Sequence, residues 1–170
     1  GLITAGSDGP GVNAAIRGFG KAVDNIHNVE LLGFRDGFLG LVEDRKVNLL
    51  EGTMLSGILT QGGTILGTSR HLPDSMPSGQ GIVDRTQEAV DSYHRNNLDA
   101  LVIIGDNTSQ TAAYKLSQAG LNIITLPKSC ENDIPVTDKS IGFDTAREIA
   151  TQAIDRLHTN ANATHRIMLV

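Results

Sequence analysis

The chain has 170 residues, 39% apolar and 19% charged, a balance that excludes a disordered polymer and suits one globular domain or part of a larger one. Fourteen Lys and Arg against nineteen Asp and Glu leave a net charge of −5, so no global field attracts nucleic acid or an anionic membrane, and any anion site is local. The single Cys130 excludes a disulfide framework and a Cys-rich zinc site, and no stretch reaches the roughly 20 apolar residues of a membrane span.

No basic and apolar signal sequence opens the chain, so a soluble, cytoplasmic protein is expected. The start at Gly1 without Met and the apolar end Ile167-Met168-Leu169-Val170 read as a chain cut at both ends. Leu2-Ile3-Thr4 is a short apolar run leading into Gly6-Ser7-Asp8-Gly9-Pro10-Gly11, and Val12, Ala15, Ile16, Phe19 and Val23 then repeat at helical spacing. The pattern predicts strand, glycine turn and helix. Val29 to Phe34 predicts a second strand, followed by a loop-rich passage to about residue 52, and Gly62-Gly63-Thr64 marks another turn. His71 to Gly81, with Pro73, Pro77, Gly79 and Gly81, predicts an exposed connection. Beyond it the order is a helix near 83–97, a strand over 100–104, a helix near 109–119, a strand over 121–126, a helix over 143–157 and a last strand from Arg166. Apolar runs separated by helices predict an α/β fold, a three-layer Rossmann-like parallel sheet with helices on both faces. Such sheets bind ligands beyond the carboxyl ends of their strands.

Three polar motifs fall on that edge. The Gly6 to Gly11 turn can offer backbone N–H groups to a phosphate at a helix N-terminus, or be no more than a tight turn. Gly105-Asp106-Asn107-Thr108-Ser109 offers a carboxylate and hydroxyls suited to Mg²⁺ beside phosphate, or an N-cap for the next helix. Pro127-Lys128-Ser129-Cys130-Glu131-Asn132-Asp133 crowds a cation, two carboxylates and a hydroxyl into one loop, a source of a base and a charge clamp or a solvated loop with internal ion pairs. The remaining histidines, His27, His71, His94 and His158, lack ligand spacing and read as surface or capping groups. Cys130 reads as a small spacer, and Tyr93 and Tyr114 as helix packing.

In this order and spacing the three motifs resemble the phosphofructokinase family, whose members phosphorylate fructose 6-phosphate at O1. Further matching stretches are Asn13 to Gly18, Gly33 to Phe38, Gly62 to Arg70, Ile141 to Ala146 and His165-Arg166-Ile167, so the resemblance covers essentially the whole chain. It implies a two-lobe enzyme of glycolysis, with residues 1–138 as the phosphoryl-donor-binding lobe and 139–170 as the start of a truncated sugar-phosphate lobe. The implied partners are fructose 6-phosphate, ATP or pyrophosphate, and Mg²⁺, with no nucleic acid or membrane. By resemblance, Gly6, Ser7, Asp8, Asn107 and Thr108 lie at the donor phosphates and Asp106 is the Mg²⁺-associated acid. Glu131 takes the place of the catalytic base, Arg70 stabilises the transferring phosphoryl group, and Lys128 adds positive charge. Ser129, Glu131 and Asp133 face the sugar. Arg166 would contact the sugar phosphate of a neighbouring subunit, which implies a homo-oligomer, a dimer or tetramer. Arg17 and Lys21 match positions that bind effector nucleotides in regulated bacterial members.

Four departures from the family pattern stand out. Gly6-Ser7 replaces a pair of glycines, Ile104-Gly105-Asp106 is one glycine short of Gly-Gly-Asp, and Glu131-Asn132-Asp133 replaces Asp-Asn-Asp. The fourth concerns the donor, since Asn107 with Lys128 leans slightly to pyrophosphate over ATP. The first three departures motivate an alternative, a catalytically weakened member serving as a regulatory or assembly subunit. An NAD or lipid kinase with a similar donor turn is opposed by Arg70 and the Lys128–Asp133 block.

Overall fold

The computed structural model describes residues 1–79 and 81–169. Gln80, within the expected exposed connection, and Val170, at the end of the expected last strand, lie outside the described residues. The first half runs β1 (Leu2–Thr4), α1 (Val12–Asp24), β2 (Leu32–Phe34), α2 (Phe38–Val42), β3 (Lys46–Asn48) and a single 3-10 turn at Ile58–Thr60. A hairpin of β4 (Met76–Ser78) and β5 (Gly81–Val83) leads to α3 (Thr86–Arg95), β6 (Leu101–Gly105), α4 (Asn107–Gln118), β7 (Ile123–Ser129), β8 (Ile141–Gly142) and α5 (Phe143–Thr164).

Six strands form one sheet in the order β3-β2-β1-β6-β7-β8. Every pairing is parallel except that of β3 with β2 at one edge. The expected α/β architecture is therefore what forms, with one antiparallel edge strand, a common addition to parallel sheets.

The apolar run of β6 explains its central place: all five residues are buried, and they alternate between two cores. Leu101 and Ile103 join Ile3, Phe38 and Leu41, Ala89 and Tyr93 of α3, and Ala112, Ala113 and Leu116 of α4. Val102 and Ile104 point the other way, into a cluster with Leu2, Val12 and Ile16 of α1, and Leu49, Leu55, Ile58 and Leu66. Successive strand side chains face opposite sides, so a strand covered on both faces has to be apolar throughout. The second face is covered by one helix and the irregular 49–66 segment, where Gly52, Gly57, Gly62 and Gly63 interrupt any helix.

Three expectations change. The passage after Phe34 holds α2 and β3, the 71–81 connection carries the first strand of a hairpin, and Arg166–Leu169 forms no strand. Instead α5 runs seven residues past its expected end at 157, to Thr164, and the edge after β7 is taken by the two-residue β8.

The order fixes the ligand edge. From β1 the chain turns outward to β2 on one side, whereas β6 lies on the other, so the connections leave in opposite directions between β1 and β6. That switch point opens a crevice at the carboxyl ends of the strands. The turn after β1, the start of α4 after β6 and the loop after β7 all lie at this edge.

Candidate functional site

The turn after β1 is held by its neighbours atom by atom. Gly6 N–H donates to the Ser69 carbonyl at 2.9 Å, and the Thr68 hydroxyl donates to the Gly6 carbonyl at 2.8 Å. Gly6 sits at φ +84°, and a Cβ there would lie 2.0 Å from Asp106 Oδ2, so only glycine lets the turn approach the end of β6. The turn closes at Gly11, which precedes α1 without any side-chain cap. The first N–H groups of α1 therefore keep capacity for an anion.

Of the two roles considered for Asp106 locally, the structure shows the cap. It is the N-cap of α4: Oδ1 accepts from Ser109 N at 3.0 Å, Ser109 Oγ at 2.8 Å and Thr108 Oγ1 at 2.9 Å. Its other oxygen, Oδ2, accepts from Ser7 N at 3.1 Å and so reaches across the switch point into the glycine turn. Burial pushes the carboxyl pKa up, but the hydrogen bonds from Ser109, Thr108 and Ser7 outweigh it and hold it below the usual carboxylate range.

Lys128, near the end of β7, is only 2% exposed. Its ammonium donates to the Ala5 carbonyl at 2.9 Å and to the Ser7 carbonyl. Burial lowers its pKa, opposed by the nearby carboxylates of Asp106 and Asp8. The sequence placed its charge on the donor, whereas in the structure it faces the backbone of the turn.

The loop beyond β7 is organised by a residue given no role in the sequence reading, Asn132. It sits at φ +54°, where Asn is tolerated. Its Oδ1 accepts from Ser140 N at 2.8 Å, and its Nδ2 donates to the Asp138 carbonyl at 3.2 Å. Ser140 Oγ in turn donates to the Ser129 carbonyl at 2.8 Å. Ser129 Oγ donates to Asp133 Oδ1 at 2.6 Å and accepts from Glu131 N at 3.0 Å. These bonds leave the Glu131 side chain exposed at the edge of the crevice. The signal was present in the sequence as an Asn between two carboxylates in a turn, a residue suited to left-handed backbone.

Other expected site residues divide into those brought together and those not. Thr68 and Ser69 tie the next residue, Arg70, to the turn, and Arg70 is exposed there. Asn107 is exposed on the first turn of α4 and lines a cleft of about 420 Å³ with Tyr114, Pro127 and Ile134. Asp8 is exposed at the tip of the glycine turn. Among the described residues, Arg166 is not tied to this group by any hydrogen bond to a site residue; it follows the 22-residue α5, a helix about 33 Å long. No residue of α5 is buried.

The donor set suits a Mg²⁺ that arrives with phosphate oxygens and water. Such sites need only one or two carboxylates, and Asp106 Oδ2 accepts a single hydrogen bond, leaving it further acceptor capacity. Among the described residues no cluster of three His, Cys, Asp or Glu would hold a metal by itself. The arrangement offers a helix N-terminus and the exposed Arg70 to an anion, and an exposed carboxylate, Glu131, on the loop after β7 at the same sheet edge. Among the described residues, no helix is long and apolar enough to cross a membrane.

Comparison with known proteins bears on this geometry. A family model described as phosphofructokinase matches residues 1–170. The chain is similar to ATP-dependent 6-phosphofructokinase of Propionibacterium freudenreichii subsp. shermanii, 50% identical over 169 residues that cover 99% of this chain and 45% of the relative. It is also similar to ATP-dependent 6-phosphofructokinase of Spirochaeta thermophila, 44% identical over 174 residues covering 100% of this chain and 47% of the relative. The chain thus spans about half the length of these relatives. Among solved structures it shares its fold with a phosphofructokinase from Saccharomyces cerevisiae, with TM-score 0.78, 22% identity and coverage of 95% of this chain and 24% of that one. A pyrophosphate-dependent phosphofructokinase from Nitrosospira multiformis aligns with TM-score 0.70 at 18% identity, covering 84% of this chain and 36% of that one.

Proposed function

Because the chain belongs to the phosphofructokinase family, we propose that it is the donor-side part of a 6-phosphofructokinase transferring a phosphoryl group to O1 of fructose 6-phosphate. The observation that carries the reading is the joining of three strand ends at one crevice. Ser7 N–H binds Asp106, and Lys128 binds the carbonyls of Ala5 and Ser7, so the turn after β1, the end of β6 and the end of β7 form one unit.

Phosphoryl transfer asks the protein for position and charge more than for covalent chemistry. The N-terminus of α1 and the turn before it would take the donor phosphates, with Ser7, Asp8 and Thr108 alongside. Arg70, exposed next to that turn, would meet the charge that builds on the transferring group. Glu131 would accept the proton of the sugar hydroxyl, and the Ser129–Asp133 pair would orient the sugar. Asp106 would hold Mg²⁺, which when bound supplies further positive charge to the donor phosphates. Residues 1–138 act in this reading as the donor lobe and 139–170 as the beginning of a sugar-phosphate lobe. Arg166, exposed beyond the end of α5, would serve a neighbouring subunit of a homo-oligomer.

For the donor we favour ATP, which the names of the relatives matched over the whole chain specify for those proteins. The lean to pyrophosphate rested on Asn107 and Lys128, and half of it weakens because the Lys128 ammonium is engaged by backbone carbonyls. A second reading, the weakened regulatory or assembly subunit, is favoured by one observation: a resident carboxylate already takes the Ser7 N–H. One assay tests both. Full-length protein with fructose 6-phosphate, Mg²⁺ and either ATP or pyrophosphate should form fructose 1,6-bisphosphate, faster with ATP. Product from pyrophosphate alone would reverse the donor choice, and none from either donor with folded protein would leave the subunit reading.

A further inference from the structure

Among the described residues Lys128 is the only buried Lys, Arg, Asp, Glu or His, and the groups its ammonium bonds to are backbone carbonyls. Its ammonium bonds to the carbonyls of Ala5 and Ser7, on either side of Gly6. In a trans peptide the C=O and the following N–H point in opposite directions. Drawing the Ala5 and Ser7 carbonyls toward the ammonium therefore turns the N–H groups of Gly6 and Asp8 away from it. The Gly6 N–H is used by the Ser69 carbonyl, and no backbone acceptor takes the Asp8 N–H among the described residues. A carbonyl turned the other way would present negative charge to an incoming phosphate.

We infer that Lys128 is a positioning residue that acts through the Ala5–Asp8 turn: it keeps carbonyl oxygens on the inner side and the Asp8 N–H on the donor side, without touching the donor. The inference rests on the phosphoryl-transfer reading for its consequence, while its geometry is independent of that reading. A cation is suited to the task, since charge-assisted hydrogen bonds are roughly twice as strong as neutral ones. A neutral side chain of similar length would leave both carbonyls free to rotate outward.

The test uses the full-length protein and its Lys128→Met variant, with two readouts. In the absence of any ligand, amide hydrogen exchange at Gly6 and Ser7, the two turn amides that have acceptors, should speed up by about tenfold or more in the variant, while exchange in β6 stays as it was. The KM for ATP and the KM for pyrophosphate should then rise by a common factor wherever each donor is used, with the KM for fructose 6-phosphate unchanged. Unchanged exchange at the turn with weakened donor binding would make Lys128 a direct donor contact and overturn the inference. Faster exchange spread evenly over β1, β6 and β7 would reduce it to core packing and overturn it as well. Lys128→Gln, which keeps an N–H donor on a shorter stem, serves if the Met variant does not fold, and loss of the fold in both variants would count against a positioning role. Absence of phosphoryl transfer in every form would defeat the functional reading while the exchange measurement still decides the role of Lys128.

Discussion

Glu131 presents an exposed carboxylate from a loop whose backbone is pinned through Asn132, Ser140 and Ser129, so its replacement should affect chemistry more than structure. Glu131→Gln is expected to lower kcat by about 10²–10⁴, the usual worth of a general base, with little change in the KM for the donor, as steady-state kinetics would show. Glu131→Asp tests the extra methylene: a gain in turnover would mean that the longer side chain misplaces the base. Gly6 behaves differently, because its φ of +84° and the 2.0 Å approach of an added Cβ to Asp106 make even alanine a structural change. Gly6→Ala should cost at least about 1–3 kcal/mol in denaturant unfolding from backbone strain alone. For Asp106 the sign of the pH dependence follows from a folded pKa held below its ordinary value. The contribution is complete above the unfolded value of about 3.9 and is lost as pH falls through the lower folded value. The stability gap between the wild type and Asp106→Asn should thus be constant above about pH 5 and shrink in acid.

The elements carry the site by where they end. Ile103, at the middle of β6 and fully buried, fixes the strand from which Asp106 projects. Ile103→Ala should cost about 2–5 kcal/mol, read by urea denaturation. At the other end of the sheet Gly142, φ +101°, packs the start of α5 against the first turn, where a Cβ would lie 2.9 Å from the Pro10 carbonyl. The long elements were legible in the sequence because their periodicity reports burial: α1, α3, α4 and β6 follow from apolar spacing, whereas the order of the strands does not. The short ones were not. α2 and β3 are five and three residues long among glycines, too brief for a period to register, and the β4–β5 hairpin lies among prolines and glycines that read as a connection. At the site, residue identities and their edge could be read from the motifs, but direction could not. Nothing in Pro127-Lys128-Ser129 says that the lysine turns inward to carbonyls, nor that one carboxylate caps α4 and binds the opposite turn as well.

Across the whole molecule, a net charge of −5 coexists with a crevice proposed to receive an anion. Local arrangement overrides the average: the uncapped start of α1, the exposed Arg70 and the inward Lys128 lie at the edge where connections diverge from β1. The 22-residue α5 leads away from that edge with none of its residues buried, and the chain covers about half of its relatives. Residues 1–170 alone should therefore form no fructose 1,6-bisphosphate, since the proposed sugar-facing wall is largely outside them, and a coupled assay on that segment would check it. The central claim, that donor phosphates are received between the turn after β1 and the end of β6, is tested most directly by a crystal structure of the full-length protein with Mg²⁺ and a non-hydrolysable ATP analogue. The account predicts phosphate oxygens against the Asp8 N–H and the first turn of α1, with Asp106 toward the metal and Lys128 still bound to the Ala5 and Ser7 carbonyls. Phosphates bound away from this crevice would contradict it.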